Sequence, residues 1–408
     1  MPDLKEFEKI CVKLYELIGT KKVHSAYAVS MGGIAEAILK MSFGNKIGLN
    51  IVKTDNLFNA YYGDFILEVD KDFNLKGTVT VAETNDSGKI TINGETIAID
   101  TLVEAFKAPL NKVYPESKEY KNEEIDIPVY DKGITIAPNG RIAKPKVVIP
   151  VFPGTNCEYD SARQFELAGA EPEVIVFKNI TGGGVLESID KLENSIKSAQ
   201  MIMIPGGFSG GDEPDGSGKI IATAFRNPII KEAVMEMLYK RDGLMLGICN
   251  GFQALVKLGL VPYGEIRDLD ADMPTLTFNT IGRHISRMAY TRIASNKSPW
   301  LANVETGDIH SIALSHGEGR FIASDEVLNT LAKNGQIATQ YVTPDGVATY
   351  DSEWNPNGSM AAIEGILSPD GRILGKMGHS ERIGENITSN IPGNKNQLLF
   401  EAGVSYFK

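Results

Sequence analysis

Four short apolar runs, each ending at or followed by a turn with glycine or proline, constrain this chain more than any other feature. They are KVVIPVF (residues 146–152), EVIVF (173–177), MIMIP (201–205) and LMLGI (244–248), and segments with helical spacing lie between them. Strands that are apolar on both faces and alternate with helices are typical of a parallel sheet covered by helices. For residues 145–408 we therefore predict an α/β fold with a mostly parallel sheet flanked by helices. Function is expected in the loops that follow the strands.

The first 110 residues follow a different pattern, which predicts a smaller α+β half-domain. Apolar residues recur at helical spacing over residues 7–17, and a second amphipathic helix is indicated over residues 34–41. Alternating apolar and polar residues then flank the dipeptide Asn93-Gly94. That dipeptide between alternating segments is a strong signal for a β-hairpin.

Residues 111–144 predict a linker between the two domains. The segment is rich in charged residues and proline and has no sustained hydrophobic period. Long connections without such a period are uncommon inside a compact domain. We therefore predict three parts: a half-domain over residues 1–110, a linker over 111–144 and an α/β domain over 145–408.

Composition excludes several classes of function. The formal net charge of −11 argues against nucleic acid or an anionic membrane surface as the main partner. No apolar run is long enough to span a bilayer, and the first residues do not resemble a signal peptide. The three cysteines, Cys11, Cys157 and Cys249, have neither disulfide-framework nor metal-site spacing. We therefore predict a cytoplasmic protein without a metal site.

Cys249 is the best candidate for a nucleophile. It lies in Gly247-Ile248-Cys249-Asn250-Gly251, between the run 244–248 and a segment with helical spacing. Glycines two residues before and after a nucleophile are typical of a sharp turn from strand to helix. The helix N-terminus then favours the reactive thiolate at Cys249. Cys157 has no such turn and no neighbouring base in the sequence, so we expect it to be structural.

His379 and Glu381 are the candidate base and the group that orients it. They lie two residues apart, just after the apolar run 373–377. On an extended segment, residues i and i+2 project to the same side, so Glu381 can hold the imidazole of His379. A reactive thiol needs a base of this kind.

A glycine-rich turn, Pro205-Gly206-Gly207-Phe208-Ser209-Gly210-Gly211-Asp212, follows the run MIMI. Adjacent glycines after a strand let backbone N–H groups point inward, as in an oxyanion hole for acyl transfer. The turn lacks the lysine and hydroxyl of a nucleotide-binding P-loop. It therefore favours an oxyanion hole over a phosphate site.

In their order, the segments PGGFSGGD, GICNGFQ and GHSE resemble the class I (triad-type) glutamine amidotransferases. Together with PGTNCEYDSARQFELAGAEPE, ALSHGEGRF and NPNGS, they look like the glutaminase domain of the phosphoribosylformylglycinamidine synthase family. That resemblance covers about residues 145–408. It implies hydrolysis of glutamine, without a cofactor, to supply ammonia for ATP-dependent conversion of formylglycinamide ribonucleotide to its amidine in purine biosynthesis.

The resemblance also implies roles for individual residues. The family's catalytic triad falls on Cys249, His379 and Glu381. Its oxyanion hole falls on the backbone N–H groups of Gly207 and Asn250. The residues implied to bind glutamine are Gln253, Ser315, His316 and Gly317.

The first 110 residues look like the C-terminal half of the second synthetase repeat in the long form of the same family. The matching segments are HSAYAVSMGGIAEAILKMSFGNKIGLNI and NLFNAYYGDFILEV. Where that family carries an acidic residue, this chain has Tyr27 or Ala28, which indicates a structural repeat. The resemblance implies that the chain is a fragment or subunit whose partner is an upstream synthetase module. The ATP and Mg²⁺ of the complete synthase would bind in that module, outside this chain.

Two other functions are compatible with parts of the pattern. A cysteine peptidase or related hydrolase could share the fold and the turn at Cys249. The alternative is a scaffold without catalysis, which would bind through its N-terminal half-domain. GHSE, PGGFSGGD and Gln253 favour the amidotransferase over the peptidase, and three intact candidate triad residues argue against the scaffold.

Overall fold

The computed structural model describes residues 3–53, 55–115, 125, 129–211 and 217–408. The chain divides into two compact units, Met1–Glu116 and Ser117–Lys408. Within the predicted linker, residues 116–124 and 126–128 lie outside the described residues, as does Asp212 of the glycine-rich turn. No helix among the described residues has the length and apolar character needed to cross a membrane.

The described residues of the first unit form three helices and six short strands. The helices are α1 (Leu4–Gly19), α2 (Gly33–Phe43) and α3 (Ile99–Asn111). The strands are β1 (Ser25–Ala28), β2 (Gly48–Ile51), β3 (Phe65–Glu68), β4 (Ala82–Asn85), β5 (Lys89–Ile92) and β6 (Glu95–Ala98). Strands β1 and β3 form an antiparallel pair, and the other four form a sheet in the order β4-β2-β5-β6.

Local sequence signals in this unit match the elements that form. Both predicted helices are present as α1 and α2. The predicted hairpin joins β5 to β6, where Asn93 and Gly94 have φ angles of 51° and 84°. Positive φ at both turn positions is what a two-residue hairpin of this kind requires. The core of the unit is small; its seven buried residues are Ile34, Ala35, Ile38, Leu49, Leu57, Ile90 and Ile99.

The second unit is built around one large sheet. Its strands are β7 (Lys146–Val151), β8 (Glu171–Val176), β9 (Met201–Ile204), β10 (Leu244–Ile248), β11 (Thr275–Thr277), β12 (Ile285–Ile293), β13 (Ile309–His316), β14 (Arg320–Ile322), β15 (Ile337–Tyr341), β16 (Ile363–Leu367) and β17 (Ile373–Lys376). Its helices are α4 (Glu158–Leu167), α5 (Gly182–Ser198), α6 (Lys219–Phe225), α7 (Pro228–Lys240), α8 (Asn250–Leu258), α9 (Leu260–Tyr263), α10 (Asp325–Lys333) and α11 (Leu399–Ser405). The predicted α/β fold is confirmed for this unit.

Nine of these strands form the sheet, in the order β13-β12-β15-β16-β17-β10-β9-β7-β8. The half from β17 to β8 is parallel, and the strands from β16 to β13 extend it in antiparallel fashion. All residues of β9 and β10 are buried, because helices cover the parallel half. Burying each large apolar side chain stabilises the fold by about 1.5–3 kcal/mol.

The order of the parallel strands positions the candidate site. Strands β9, β10 and β17 are neighbours and run in the same direction. Their carboxyl ends lead into the glycine-rich turn, into Cys249 and into the segment with His379, respectively. Three segments that are far apart in the sequence therefore meet at one edge of the sheet.

The part of the predicted linker nearest the second unit packs against that unit. The N–H of Tyr130 donates to the carbonyl of Ala294 over 3.0 Å, and the N–H of Ile142 donates to the carbonyl of Phe407 over 2.7 Å. The ring of Tyr130 lies where a side chain at Gly335 would point. These residues are therefore integrated into the second unit. The assignment of the first 110 residues to a synthetase repeat stays a prediction.

Candidate active site

Cys249 lies on a strained turn between β10 and α8. Its φ of 52° and ψ of −106° are unfavourable for a residue with a side chain. Neither flanking glycine has a positive φ, so what both supply at this turn is space for close packing. A Cβ at Gly247 would lie 2.6 Å from Leu255 Cδ1, and one at Gly251 would lie 2.0 Å from the carbonyl oxygen of Ile204. The glycines therefore let α8 pack closely on the strands, while Cys249 itself adopts the strained conformation.

His379 and Glu381 form a buried pair at the end of β17. The two atoms His379 Nδ1 and Glu381 Oε1 are 2.5 Å apart, and both side chains are at most 1% exposed. The N–H of His379 also donates to the carbonyl of Ala313 over 2.9 Å, which fixes its backbone. The imidazole therefore has one nitrogen held by a carboxylate, while Nε2 has no hydrogen-bond partner among the described residues.

Electrostatics favour the charged imidazolium at this position. Burial opposes the charge, but the Glu381 carboxylate and the Cys249 thiol group outweigh burial and raise the pKa of His379 well above its usual value. For Glu381, burial also opposes the charge, and the neighbouring His379 lowers the pKa below the usual value. The pair therefore favours a carboxylate beside a protonated imidazole.

Gly206 lies between the imidazole and Cys249. A Cβ at this position would lie 2.8 Å from His379 Cε1 and 3.4 Å from Cys249 Cβ. Any side chain would therefore separate the candidate base from the candidate nucleophile. The structure thus brings together Cys249, His379 and Glu381, as the sequence pattern predicts.

The two predicted oxyanion-hole residues lie on adjacent segments. Asn250 is the first residue of α8, and its side-chain oxygen accepts a hydrogen bond from the N–H of Ser209 over 3.2 Å. That bond ties the helix N-terminus to the turn that contains Gly207. A Cβ at Gly207 would lie 2.6 Å from the carbonyl oxygen of Gly154, so the turn also packs tightly on the loop after β7. The arrangement holds both backbones beside Cys249.

Gln253 is buried, and both polar atoms of its side chain have hydrogen-bond partners within the protein. Its Oε1 accepts from Asn250 Nδ2 over 2.9 Å, and its Nε2 donates to the carbonyl of Glu318 over 2.5 Å. Gln253 therefore links α8 to the segment after β13. Its predicted contact with glutamine stays a prediction.

The segment Ser315–Gly317 forms a wall beside the nucleophile. The carbonyl oxygen of Ser315 lies 3.7 Å from Cys249 Sγ, and the hydroxyl of Ser315 lies 3.1 Å from His284 Nε2. The carbonyl of Gly317 accepts from the N–H of Asn279 over 2.9 Å. All three predicted residues of the segment therefore lie near Cys249 or support that wall.

His316 is held as a neutral imidazole. The amide of Asn279 donates to the carbonyl of His316 over 2.8 Å, so its oxygen, 3.2 Å from His316 Nδ1, must accept. The proton of His316 is therefore on Nδ1. Burial, followed by the nearby His379 and His284, lowers the pKa of His316 to about 3. Near neutral pH this side chain can offer Nε2 only as an acceptor.

The sequence analysis missed two residues beside the imidazole, Cys157 and Arg382. Cys157 is 1% exposed, and its Sγ lies 3.9 Å from His379 Nδ1. Arg382 Nη2 donates to that sulfur over 3.1 Å. The expectation that Cys157 has no base nearby is therefore wrong. Its position after β7, a neighbour of β9, was the available signal, whereas nothing in the sequence indicated Arg382.

The geometry still favours Cys249 over Cys157 as the nucleophile. Cys157 approaches Nδ1, the nitrogen that is already bonded to Glu381. A base that keeps its orienting carboxylate must accept the thiol proton through the other nitrogen, Nε2. Cys249 also lies on the strained turn at the N-terminus of α8.

The donor atoms of Cys157, His379 and Glu381 lie within 4.8 Å of one another, and their types are those of a metal site. Two contacts oppose a cation there. The guanidinium of Arg382 already donates to Cys157 Sγ, and the Nδ1 atom of His379 already contacts Glu381. The cluster therefore fits a hydrogen-bonded catalytic pair better than a metal centre.

Comparison with known proteins places this site in a family. Residues 144–407 match the family described as CobB/CobQ-like glutamine amidotransferase domain. The protein of Methanocaldococcus jannaschii named phosphoribosylformylglycinamidine synthase subunit PurQ is 32% identical over 263 residues, which cover 64% of this chain and 99% of that protein. The protein of the same name from Treponema denticola is 37% identical over 254 residues, 58% of this chain and 88% of that protein.

Among solved structures, one chain in the structure of PurLQS from Thermotoga maritima is similar to this protein. It is 26% identical, and the match covers 65% of this chain and 100% of that chain with a TM-score of 0.47.

Proposed function

The chain belongs to the CobB/CobQ-like glutamine amidotransferase domain family, and on that premise we propose that its second unit hydrolyses glutamine to glutamate and ammonia. One observation carries the proposal: a buried imidazole, held at Nδ1 by Glu381, lies beside Cys249 on a strained turn at a helix N-terminus. This arrangement suits nucleophilic attack on an amide carbonyl. It matches the catalytic roles that the sequence implies for Cys249, His379 and Glu381.

The first half of the reaction forms a thioester. His379 takes the proton of the Cys249 thiol through Nε2, and Sγ attacks the side-chain amide carbon of glutamine. The carbonyl oxygen becomes an oxyanion near the N–H groups of Gly207 and Asn250. His379 then donates its proton to the amide nitrogen, the C–N bond breaks and ammonia leaves. Because Glu381 stabilises the imidazolium, its contribution is largest while the proton is on His379.

The second half releases glutamate. His379, now neutral, accepts a proton from water through Nε2, and the resulting hydroxide attacks the thioester carbon. The C–S bond breaks, and the proton returns to Cys249 as glutamate leaves. Gln253 and the wall Ser315–Gly317 are proposed to position the amino-acid end of glutamine. The carbonyl oxygen of Ser315 lies 3.7 Å from Cys249 Sγ.

We further propose that the ammonia serves the ATP-dependent conversion of formylglycinamide ribonucleotide to its amidine. The names of the two similar proteins support this acceptor. The partner would be a synthetase module, and ATP with Mg²⁺ would bind in that module. The glycine-rich turn of this chain lacks the lysine and hydroxyl of a nucleotide-binding P-loop, and its Gly206 faces Cys157, Cys249 and His379. The three cysteines are unpaired, which supports a cytoplasmic location.

Glutamate release by the purified chain tests the proposal. We expect slow hydrolysis by the chain alone and faster hydrolysis after addition of a synthetase module with ATP, Mg²⁺ and acceptor. A glutamine-like electrophile should also label Cys249 much faster than Cys157 or Cys11, as measured by peptide mapping. Adduct found mainly on Cys157 would overturn the assignment of the nucleophile. Amidine formation by the chain alone would overturn the placement of ATP in a partner.

A further inference from the structure

A fully buried ion pair lies directly beneath the segment that contains His379. Lys376, the last residue of β17, and Glu364, in the neighbouring strand β16, are both 0% exposed, and Nζ lies 3.1 Å from Oε1. Removing two charges from water is costly, and apolar residues of similar volume commonly stabilise a core as well or better. Stability alone is therefore a weak explanation for this pair.

The ammonium group of Lys376 has three acceptors for its three protons. Besides Glu364 Oε1, Nζ donates to the carbonyl of Gly378 over 2.7 Å and to the hydroxyl of Ser380 over 3.0 Å. These two residues flank His379 on either side. The lysine therefore contacts both residues that flank His379: Gly378 through its carbonyl and Ser380 through its hydroxyl.

The carboxylate of Glu364 also binds this segment. Its Oε1 accepts from the N–H of Gly378 over 2.5 Å, and Oε2 accepts from the hydroxyl of Thr339. A Cβ at Gly378 would lie 2.9 Å from Glu364 Oε1 and 2.7 Å from Ile312 Cγ2. Glycine at position 378 thus lets the segment contact the ion pair directly.

The backbone of Lys376 also fixes the nucleophile. Its carbonyl accepts the N–H of Cys249 over 2.8 Å, so one residue contacts the turn with Cys249 and the segment with His379. Ser380 extends the network through its hydroxyl, which donates to Gln397 Oε1 over 2.6 Å. The network thus spans three chain segments that meet only in the folded protein.

We propose that the Lys376–Glu364 ion pair is a positioning device for the reaction, which keeps His379 and Glu381 aligned with Cys249. The inference rests on the proposed glutaminase function. Neither residue touches the reacting atoms; both act through the backbone of Gly378 and the hydroxyl of Ser380. Misplacement of a catalytic group by about 1 Å can lower turnover by about 100-fold. Loss of the pair should therefore reduce kcat far more than it changes KM for glutamine.

The test is a double variant, K376M/E364M, which removes both charges and leaves no buried charge without a partner. We expect kcat for glutamate release to fall by about 10- to 100-fold. KM should stay within about twofold, and the melting temperature should be close to that of the parent, as expected for an apolar replacement. The second readout is the low-field NMR signal of the proton between His379 Nδ1 and Glu381, assigned by its loss in H379N. This signal should broaden or disappear in the double variant.

A matched control lies just before the first residue of the same strand. Arg372, 7% exposed, pairs with Asp370 over 2.5 Å and is separated from His379 in the sequence by the whole of β17. Arg372→Met should lower the melting temperature but leave kcat and the NMR signal unchanged. A double variant K376M/E364M with parental kcat and parental signal would overturn the proposal.

Two further outcomes are also informative. If this double variant does not fold, K376M/E364Q replaces it, because glutamine keeps the shape of Glu364 while both charges are still removed. Parental kcat and signal in K376M/E364Q would then reject the positioning role. If the parent itself releases no glutamate, the glutaminase function fails. In that case the low-field signal, present in the parent and lost in the variant, still decides whether the pair positions His379.

Discussion

The two units of the chain differ in the charged groups that they bury. Among the described residues of the first unit, no ion pair is fully buried: Lys9–Glu6 is 73% and 62% exposed, and even Lys40–Glu36 is 32% and 28% exposed. In the second unit, His379–Glu381 and Lys376–Glu364 are at most 1% exposed. The second unit also has an extensive core, whereas the core cluster of the first unit has seven buried residues among those that the structure describes.

This difference indicates where chemistry is possible. Exposed ion pairs contribute about 0–1 kcal/mol and are screened by salt. Buried pairs interact in a low dielectric, where they raise the pKa of His379 and hold its geometry. A large core is needed to bury such groups with all partners in place. Four predictions test the separation between the two units, from the largest expected effect to the smallest.

Cys249→Ala should abolish glutamate release, with a loss on the order of 10⁴–10⁶-fold, because the other triad members cannot act without the nucleophile. The melting transition of both units should remain. Cys11→Ala in the first unit is the control and should keep parental turnover. Residual glutamine hydrolysis near the parental rate in the Cys249→Ala variant would remove Cys249 from the mechanism.

Glu381→Gln should lower kcat by about 10²–10⁴-fold with little change in KM, since the carboxylate stabilises the imidazolium mainly in the transition state. The pH dependence of kcat/KM should also shift in a defined direction. Glu381 raises the pKa of His379, so its removal should move the alkaline limb of kcat/KM to lower pH. Steady-state kinetics from acidic to alkaline pH would show the shift. An unchanged kcat with a poorer KM would instead place Glu381 in glutamine binding.

Ile38→Ala should destabilise the first unit by about 2–4 kcal/mol without changing kcat. Ile38 is 3% exposed and belongs to the small core of that unit. The matched variant Ile202→Ala, in the fully buried strand β9, should lower the stability of the second unit and impair activity near its unfolding transition. Calorimetry and glutamate release measured on the same samples would compare them. Equal loss of activity in both variants would show that the units are coupled.

Lys9→Ala should change stability by less than about 1 kcal/mol and leave catalysis unaffected, because its pair with Glu6 is largely exposed. The small effect should decrease further as salt is added. Denaturant unfolding at two ionic strengths would measure it. An effect of several kcal/mol would mean that the first unit buries more charge than its surface indicates.

Local patterns in the sequence predicted much of the fold. The hairpin at Asn93-Gly94 and the strand-to-helix turn at Cys249 depend on neighbouring residues, so short motifs reveal them. The antiparallel strands from β16 to β13 were not predicted individually, because their pairing depends on contacts far apart in the sequence. The motif at Cys249 predicted the sharp turn, but the close packing at Gly247 and Gly251 is visible only in three dimensions.

Only part of the candidate site was predicted, because local sequence patterns do not reveal contacts between distant residues. Glu381 is two residues from His379, so their contact follows from local geometry. Cys157 and Arg382 meet beside that imidazole across 225 positions of sequence, and no local pattern links them. Lys376 and Glu364 likewise become partners only when β16 and β17 pair. Long-range side-chain partners are therefore the part that sequence motifs alone do not reveal.

The strained backbone at Cys249 serves catalysis but lowers the stability of the fold. A residue with a side chain in such a conformation costs about 1–3 kcal/mol, whereas glycine there would cost about 0.5–1 kcal/mol of chain entropy. Cys249→Gly should therefore yield a dead enzyme that is slightly harder to unfold. A copy of this chain released from selection for ammonia production would gain stability by losing its nucleophile. The thiol remains at this position at a small, constant cost to the fold that carries it.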